Sequence, residues 1–364
     1  MVKDSETKDI FDEIREQSAL AERLAMRALI IQPGAVGDCV LTLPLVRFLK
    51  DALGLGGVDL LAHADYVGFY PGRTGVDSIR SIDTVDLHRL FVRSADYQVQ
   101  DQDPLVTAFM DYALIVSFLG TQDSDFEANL VYTVHCSRSA DVVILPLKPP
   151  RDTGRHVASY YCEQLTDQCA LLQDRRHLPG LDQILIQARD EDEAQGRTLL
   201  RESGLEASRP LVIMHPGSGG LDKCWYLDNY LALAGHMKTR GWSVVFVLGP
   251  VEEHRMPARI RDRVERVAPV LSGLTLDQVV GLLSCAQAFV GNDSGVSHVA
   301  GAMGVRTCTV FGPTSPQVYG PMGPSVHVFT ASPQGFSEKA HPEVQGRILE
   351  VLLDGHDGRG KGRS

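Results

Sequence analysis

Short runs of β-branched and other apolar residues alternate along the chain with stretches whose apolar positions recur at helical spacing, and the alternation starts twice. The first round opens with Ala28–Gln32, halts at Pro33-Gly34, and passes into a helical pattern from Asp38 to Leu53. Strand-like runs follow at Val58–Ala62, Ala113–Phe118 and Val142–Leu147. The second round opens with Leu211–His215 and predicts later strands at Ser243–Leu248, Ala288–Gly291 and Thr307–Phe311. Its helices are expected at Asp228–Arg240, Thr275–Cys285 and Val296–Met303. Strands without polar alternation belong to sheets covered on both faces, so the pattern predicts the α/β class, with two doubly wound, Rossmann-like domains. A first domain is expected over 27–175 and a second over 183–354, the latter ending in a helix at Pro342–Leu353. The linker expected over 176–182 is marked by Pro179-Gly180. Residues 1–26 read as a charged helical N-terminal extension, with Ile10, Phe11, Ile14, Leu20 and Leu24 near helical spacing, and 355–364 as a disordered tail.

A chain of 364 residues is longer than one hydrophobic core usually sustains, which agrees with two domains. With 35 Lys and Arg against 46 Asp and Glu the formal charge is −11, so no nucleic acid partner is expected. Seven cysteines, at 39, 136, 162, 169, 224, 285 and 308, show neither CxxC pairing nor zinc-ligand spacing. They read as reduced thiols of a cytosolic protein, and no metal site is expected. The charged N-terminus lacks the apolar core of a secretion signal, and no run approaches the length of a membrane span. The expected location is cytoplasmic, with at most peripheral contact at the inner face of the cytoplasmic membrane.

In open α/β sheets, ligands sit beyond the carboxyl ends of the strands, so the loops there are where binding residues belong. The first such loop is Pro33-Gly34-Ala35-Val36-Gly37-Asp38, in which Gly34 and Gly37 permit a tight turn and close ligand approach. Asp38, near a helix start, serves either as general base toward an acceptor hydroxyl or as a helix cap; alone, the segment reads first as a cap. Its spacing misses the G-x-G-x-x-G of a dinucleotide site. The second, His215-Pro-Gly-Ser-Gly-Gly220 followed by Lys223, offers amides, the Ser218 hydroxyl and an ammonium group. It is either a diphosphate cradle or a flexible loop with a surface lysine. The third, Gly291-Asn-Asp-Ser-Gly-Val-Ser-His298, runs into a helix with Asp293 expected as its N-cap. The amides of Ser294 and Gly295 then suit a pyrophosphate. His298 faces the same ligand or is a core histidine. In Gly249-Pro-Val-Glu-Glu253, Glu252 holds ribose hydroxyls or merely enriches a first helical turn.

Taken in order, PGAVGDCVLTLPLVRFLK, HPGSGGLDKCW and GNDSGVSHVAGAMGVRTCTVFGPTSPQVYGP resemble the heptosyltransferase family, glycosyltransferase family 9, from about Arg27 to Leu353. The resemblance implies the GT-B fold, with two Rossmann-like domains facing a central cleft. It also implies inverting, metal-independent transfer of a heptose-like sugar from an ADP-sugar, ADP-heptose above all, to a saccharide or glycolipid acceptor. Lipopolysaccharide or other cell-surface glycan synthesis is the setting it suggests, and it implies no cofactor. By position, Asp38 matches the family's proposed base, and Ser218, Lys223, Ser294 and Gly295 match its phosphate-binding residues. Asp293 and His298 fall on the same signature, and Glu252 on the acid near the nucleotide ribose. Tyr226 departs from the family's usual proline after Trp225, and the charged extension is unusual for the family. Scattered Arg73, Arg80, Arg89, Arg93, Arg151 and Arg155 read either as contacts to an anionic acceptor or as solvated surface. A sugar-nucleotide epimerase of similar architecture and a non-catalytic nucleotide-sugar-binding protein are the alternative functions.

Overall fold

Ala28–Ile31 is wholly buried, as a run with no polar alternation requires, and the strand it belongs to, β1 (Arg27–Gln32), occupies the centre of a five-stranded sheet. The computed structural model describes residues 26–354, apart from 138–139, 151–152, 173–177 and 206–207. The expected helix before residue 26 and the tail from 355 lie outside the described residues, as does Arg151. The other strands of this sheet are β2 (Gly57–Ala62), β3 (Ser78–Ser81), β4 (Leu114–Ser117) and β5 (Asp141–Ile144), in the order β3-β2-β1-β4-β5. All pairings are parallel. One charged side chain interrupts β2: Asp59 is buried, paired with Arg27 and hydrogen-bonded by the Tyr112 hydroxyl at 3.0 Å. A charge taken out of water in this way is tolerable because it is both paired and hydrogen-bonded.

The second sheet contains β6 (Leu211–His215), β7 (Ser243–Val247), β8 (Val270–Leu271), β9 (Ala288–Asn292), β10 (Arg306–Phe311) and β11 (Val326–Thr330). It is parallel throughout, in the order β11-β10-β9-β6-β7-β8. Counted from its first strand this is the Rossmann order, which reverses between β6 and β9; the first sheet reverses between β1 and β4. The expected α/β class with two doubly wound sheets is what forms. Of the described residues, 26–34, 42–150 and 158–179 make up one compact unit. Residues 35–41, 153–157 and 180–354 make up the other, so two short pieces from before residue 175 group with the later sheet.

Several elements differ from expectation for local reasons. The helix predicted from Asp38 to Leu53 is two helices, Val36–Leu41 and Leu43–Leu53. Pro44 brings no N–H and its ring excludes the carbonyl of Val40, so a continuous helix cannot pass it, whereas the first turn of a new helix accepts it. That second helix stops at Gly54, whose left-handed φ of 62° lets its amide close back on the Lys50 carbonyl at 2.9 Å. The strands absent from the sequence reading are short or edge elements: β3 and β11 are outermost and mix polar with apolar residues, and β8 is two residues long.

Helices Asp190–Glu202 and Leu276–Ser284 of the second unit cross at a pair of glycines. A Cβ on Gly196 would stand 1.9 Å from the Gly281 carbonyl oxygen, with no flexible side chain to move aside. Gly196→Ala is therefore expected to lower stability by about 1–3 kcal/mol through overpacking. Gly235, within helix Leu227–Thr239, has nothing within 4 Å of the same position. Gly235→Ala is expected to raise stability by about 0.5–1 kcal/mol. Urea unfolding of both variants checks the pair, and equal effects of one sign would refute the crossing argument.

Candidate functional site

The loops after β6, β9 and β10 meet beyond the carboxyl edge of the second sheet. Asn292, the last residue of β9, joins the first two. Its buried amide nitrogen donates to the carbonyls of Pro216 (2.8 Å) and Gly217 (3.1 Å), and its oxygen accepts from the Trp225 amide (2.9 Å) and the Tyr230 hydroxyl (2.7 Å). Every hydrogen-bonding position of the side chain is used, which is what a polar group in a fully buried strand requires. Sequence reasoning gave Asn292 no role, although an amide ending the otherwise apolar run Ala-Phe-Val-Gly was its signal.

The glycine-rich loop after β6 is pinned from a second side by Glu252. This carboxylate accepts the amides of Ser218 (3.1 Å) and Gly249 (3.0 Å) at the start of the helix Pro250–Arg255. A Cβ on Gly217 would lie 2.1 Å from the carboxyl carbon, so the glycine is what admits the acid. His215 donates from Nδ1 to the Val247 carbonyl at 2.8 Å, and burial lowers its pKa and keeps it neutral. The Ser218 hydroxyl donates to the Asp293 carbonyl at 2.7 Å.

The helix after β9 runs Gly295–Ala302 and its N-cap is Ser294, not the expected Asp293. Ser294 has extended backbone and its hydroxyl accepts the Ser297 amide, which leaves the amides of Gly295 and Val296 as the helix donors with no partner inside the helix. Asp293, one residue outside, turns its carboxylate away from the helix start. One oxygen accepts from the Lys223 ammonium and the Thr314 hydroxyl, each at 2.8 Å, and the other lies 3.8 Å from His298 Nε2. Burial alone would raise the Asp293 pKa; the neighbouring His298 and the hydrogen-bonded Lys223 outweigh it and bring the value down to about 2. His298 is buried, and its Nδ1 has no hydrogen-bond partner among the described residues.

Asp38 sits in the first turn of the helix Val36–Leu41, which packs on Gly295–Ala302 within the second unit. Glycines allow the contact: a Cβ on Gly295 would stand 2.7 Å from that of Val36, and one on Gly37 would stand 3.1 Å from His298 Cδ2. Asp38 accepts the Ala35 amide at 2.9 Å, so it does cap its helix. Ser218, Lys223, Glu252, Asp293, Ser294, Gly295, His298, Gly37 and Asp38 thus all belong to the second unit, whereas Gly34 belongs to the first, its amide bonded to the Gln32 side chain at 2.9 Å. Four of the scattered arginines are engaged in the first unit, Arg93 through an ion pair with Asp96 at 2.7 Å. Arg73 donates to the Phe69 carbonyl, Arg80 to the Ala108 carbonyl, and Arg89 to both oxygens of Asp103, whose pKa it holds well below the usual carboxylate range.

An unfolded aspartate titrates near 3.9, roughly two units above folded Asp293. A depressed folded value means that the stabilisation is complete above about pH 4 and is lost as pH falls toward 2, a swing of about 2 kcal/mol. Asp293→Asn should remove that part of the acid sensitivity. Denaturant unfolding at a series of pH values from 5 downward reads it out, and parallel curves for the two proteins would count against the assignment.

The sequence profile of glycosyltransferase family 9 (heptosyltransferase) matches residues 146–345. Lipopolysaccharide heptosyltransferase 1 of Pseudomonas aeruginosa is 37% identical over 119 residues, 32% of this chain and 33% of that protein. Lipopolysaccharide heptosyltransferase 2 of Salmonella typhimurium is 30% identical over 177 residues, 44% of this chain and 51% of that protein. The chain therefore spans about a third to a half of the length of these curated relatives. Among solved structures, the glycosyl transferase family 9 protein of Veillonella parvula superposes with a TM-score of 0.67 at 18% identity, over 90% of this chain and 97% of that one. The Escherichia coli ADP-heptose lps heptosyltransferase II gives 0.67 at 20% identity, over 91% and 100%. At such identities the likeness speaks to fold, and with the two parallel sheets it gives the GT-B class of two Rossmann-like domains. Since the profile extends over more than half of the 364 residues and takes in the glycine-rich loop, Glu252 and the helix start at Gly295, the chain belongs to glycosyltransferase family 9, the heptosyltransferase family.

Proposed function

We propose that the protein is an inverting, metal-independent glycosyltransferase that moves a heptose-like sugar from an ADP-sugar, ADP-heptose above all, to a saccharide or glycolipid acceptor. The observation that carries this reading is the placing of Asp38 on a helix packed directly against the helix start at Gly295, with Lys223 held beside the same start by Asp293. In this reading the acceptor oxygen attacks the anomeric carbon while Asp38 takes its proton, and the bond from that carbon to the diphosphate breaks with both electrons leaving on the diphosphate. The amides of Ser294, Gly295 and Val296, the Ser218 hydroxyl and the Lys223 ammonium meet that charge, so the reading calls for no metal and no cofactor. Two amides occupy Glu252, and a carboxylate offers about four lone-pair directions, which leaves it capacity for ribose hydroxyls. Asp293 and His298 complete the donor side. Support for the donor comes from relatives: one Escherichia coli structure is described as an ADP-heptose lps heptosyltransferase and another heptosyltransferase was solved with ADP.

Among the described residues, no helix is long and apolar enough to cross a membrane. The reading therefore brings a glycolipid acceptor to the protein at the inner face of the cytoplasmic membrane by peripheral contact, in lipopolysaccharide or related glycan synthesis.

Titration with ADP, followed by transfer assays from ADP-heptose to a panel of saccharide and glycolipid acceptors, tests the proposal. Asp38→Ala is expected to abolish transfer while changing ADP affinity by less than about twofold, since general-base loss alone costs roughly a hundredfold or more. Lys223→Ala is expected to weaken ADP binding by about 1.5–3 kcal/mol, the worth of a hydrogen bond to a charged group. Unimpaired transfer by the Asp38 variant would remove the assigned base. Conversion of the nucleotide sugar with no acceptor present would replace the reading with an epimerase.

A further inference from the structure

We propose that a cavity at the amino edge of the second sheet binds a small organic oxyanion, a phosphate or a carboxylate, at a site apart from the groups assigned to the nucleotide. The inference goes beyond the transferase reading and does not depend on it. The cavity has a volume of about 230 Å³, several times a water's share of about 30 Å³, and lies where β6 and β7 begin. Backbone bonds gather its floor. The Ser243 amide donates to the Pro210 carbonyl at 2.8 Å and the Gln287 amide to the Leu211 carbonyl at 3.0 Å, which sets the starts of β7, β6 and β9 side by side. Helix Asp190–Glu202 contributes Glu193, Arg197 and Leu200 as one wall, and Cys285, just past helix Leu276–Ser284, belongs to the other. The Cys285 thiol donates to the Glu193 carbonyl at 3.6 Å, so the two walls meet.

The uncommitted polar groups of this space are donors, and that selects the ligand. Ser243 is the one polar side chain of β7 and only 8% exposed, yet its hydroxyl makes no hydrogen bond among the described residues. Leaving such a hydroxyl unsatisfied costs about 1–3 kcal/mol, which a ligand in the cavity offsets. Gln287 commits its oxygen to the Leu211 amide at 2.6 Å, so its NH2 group is the half left over, without a partner among the described residues. Arg197 and Arg209 add two guanidinium groups. Glu193 is the one acid among the described lining residues, and Arg197 already pairs with it. A guanidinium has five donors, so holding one acid leaves it able to take a second oxyanion. A cation would find neither an unpaired carboxylate nor an uncommitted amide oxygen here. An uncharged ligand would leave the arginines unanswered. Leu200, Leu205 and Leu211 supply an apolar side for a short carbon body, the usual division of a small-molecule site between apolar lining and a few placed polar groups.

Cys285 is a reporter within the cavity, and its alkylation in the full chain, read peptide by peptide in a mass spectrometer, tests the proposal. Burial raises its thiol pKa, so labelling is run at mildly alkaline pH, and exposed Cys136 of the first unit is the internal control. Inorganic phosphate, glycerol 3-phosphate and glycerate are titrated in turn, with glycerol as the uncharged counterpart. The organic anions are expected to slow Cys285 labelling roughly tenfold once they stand about tenfold above their Kd, because only the empty cavity reacts. Cys136 should label at an unchanged rate, and glycerol should protect neither thiol. Protection by either organic anion supports the site, and the stronger of the two names its head group. Ser243→Ala removes only the buried donor and should raise the anion concentration needed by roughly tenfold or more. Arg197→Gln, on an exposed helix face, should act in the same direction. Cys285 labelling that ignores all three anions overturns the proposal. So does equal protection by glycerol, or protection that survives unchanged in both variants, which would place the anion elsewhere on the protein.

Discussion

The site of the second unit is organised by one buried amide. Asn292 ends a strand that has no other polar side chain, and leaving its amide unsatisfied there would cost on the order of 1–3 kcal/mol for each lost partner. The chain meets the demand by bringing the carbonyls of Pro216 and Gly217, the Trp225 amide and the Tyr230 hydroxyl to the same point. The loop after β6 is thereby tied to the end of β9, across the place where the strand order reverses. Ser218, Lys223, Glu252 and Asp293 take their positions from that tie, since each is bonded to this loop or to the residue that follows Asn292.

A second constraint is steric. Two helix starts, at Val36 and Gly295, approach so closely that residue 295 has no room for a side chain beside Val36, and residue 37 little beside His298, so glycine at both is the condition for the contact. Helix starts are positive, so placing two side by side is unfavourable unless acids accompany them. Asp38 and Asp293 do so, one as a cap for its own amides and one as a partner for Lys223, while His215 stays neutral through burial.

Fold class was legible because buried parallel strands write continuous apolar runs, and Ala28–Ile31, Leu211–Met214 and Ala288–Val290 are such runs. Edge strands left no comparable trace: Ser78–Ser81 sets a single isoleucine among two serines and an arginine, and Val326–Thr330 alternates in a way that helical or loop segments also do. Pro44 announced a helix break that the wider periodicity hid. Among site residues, those in glycine-rich loops after strands could be found from their position. Whether Asp293 or Ser294 caps the helix could not, since the two are adjacent and both favoured, and only the pull of Lys223 and Thr314 on the aspartate decides it. Asn292 was hidden for another reason: its partners are distant in sequence, so nothing local marks it. Its four-way bonding exists only in the folded chain.

The pairing of Lys223 with Asp293 bears on how the site would respond to ionic strength. On the proposed reading, a diphosphate arriving at this ammonium group would exchange one anionic partner for another instead of neutralising a bare cation, and the remaining donors would be uncharged amides and hydroxyls. Attraction built from short-range dipoles in partly desolvated surroundings is screened far less by dissolved ions than attraction between exposed charges. Nucleotide affinity in such a site would vary little with salt, unlike that of phosphate sites lined by free lysines and arginines.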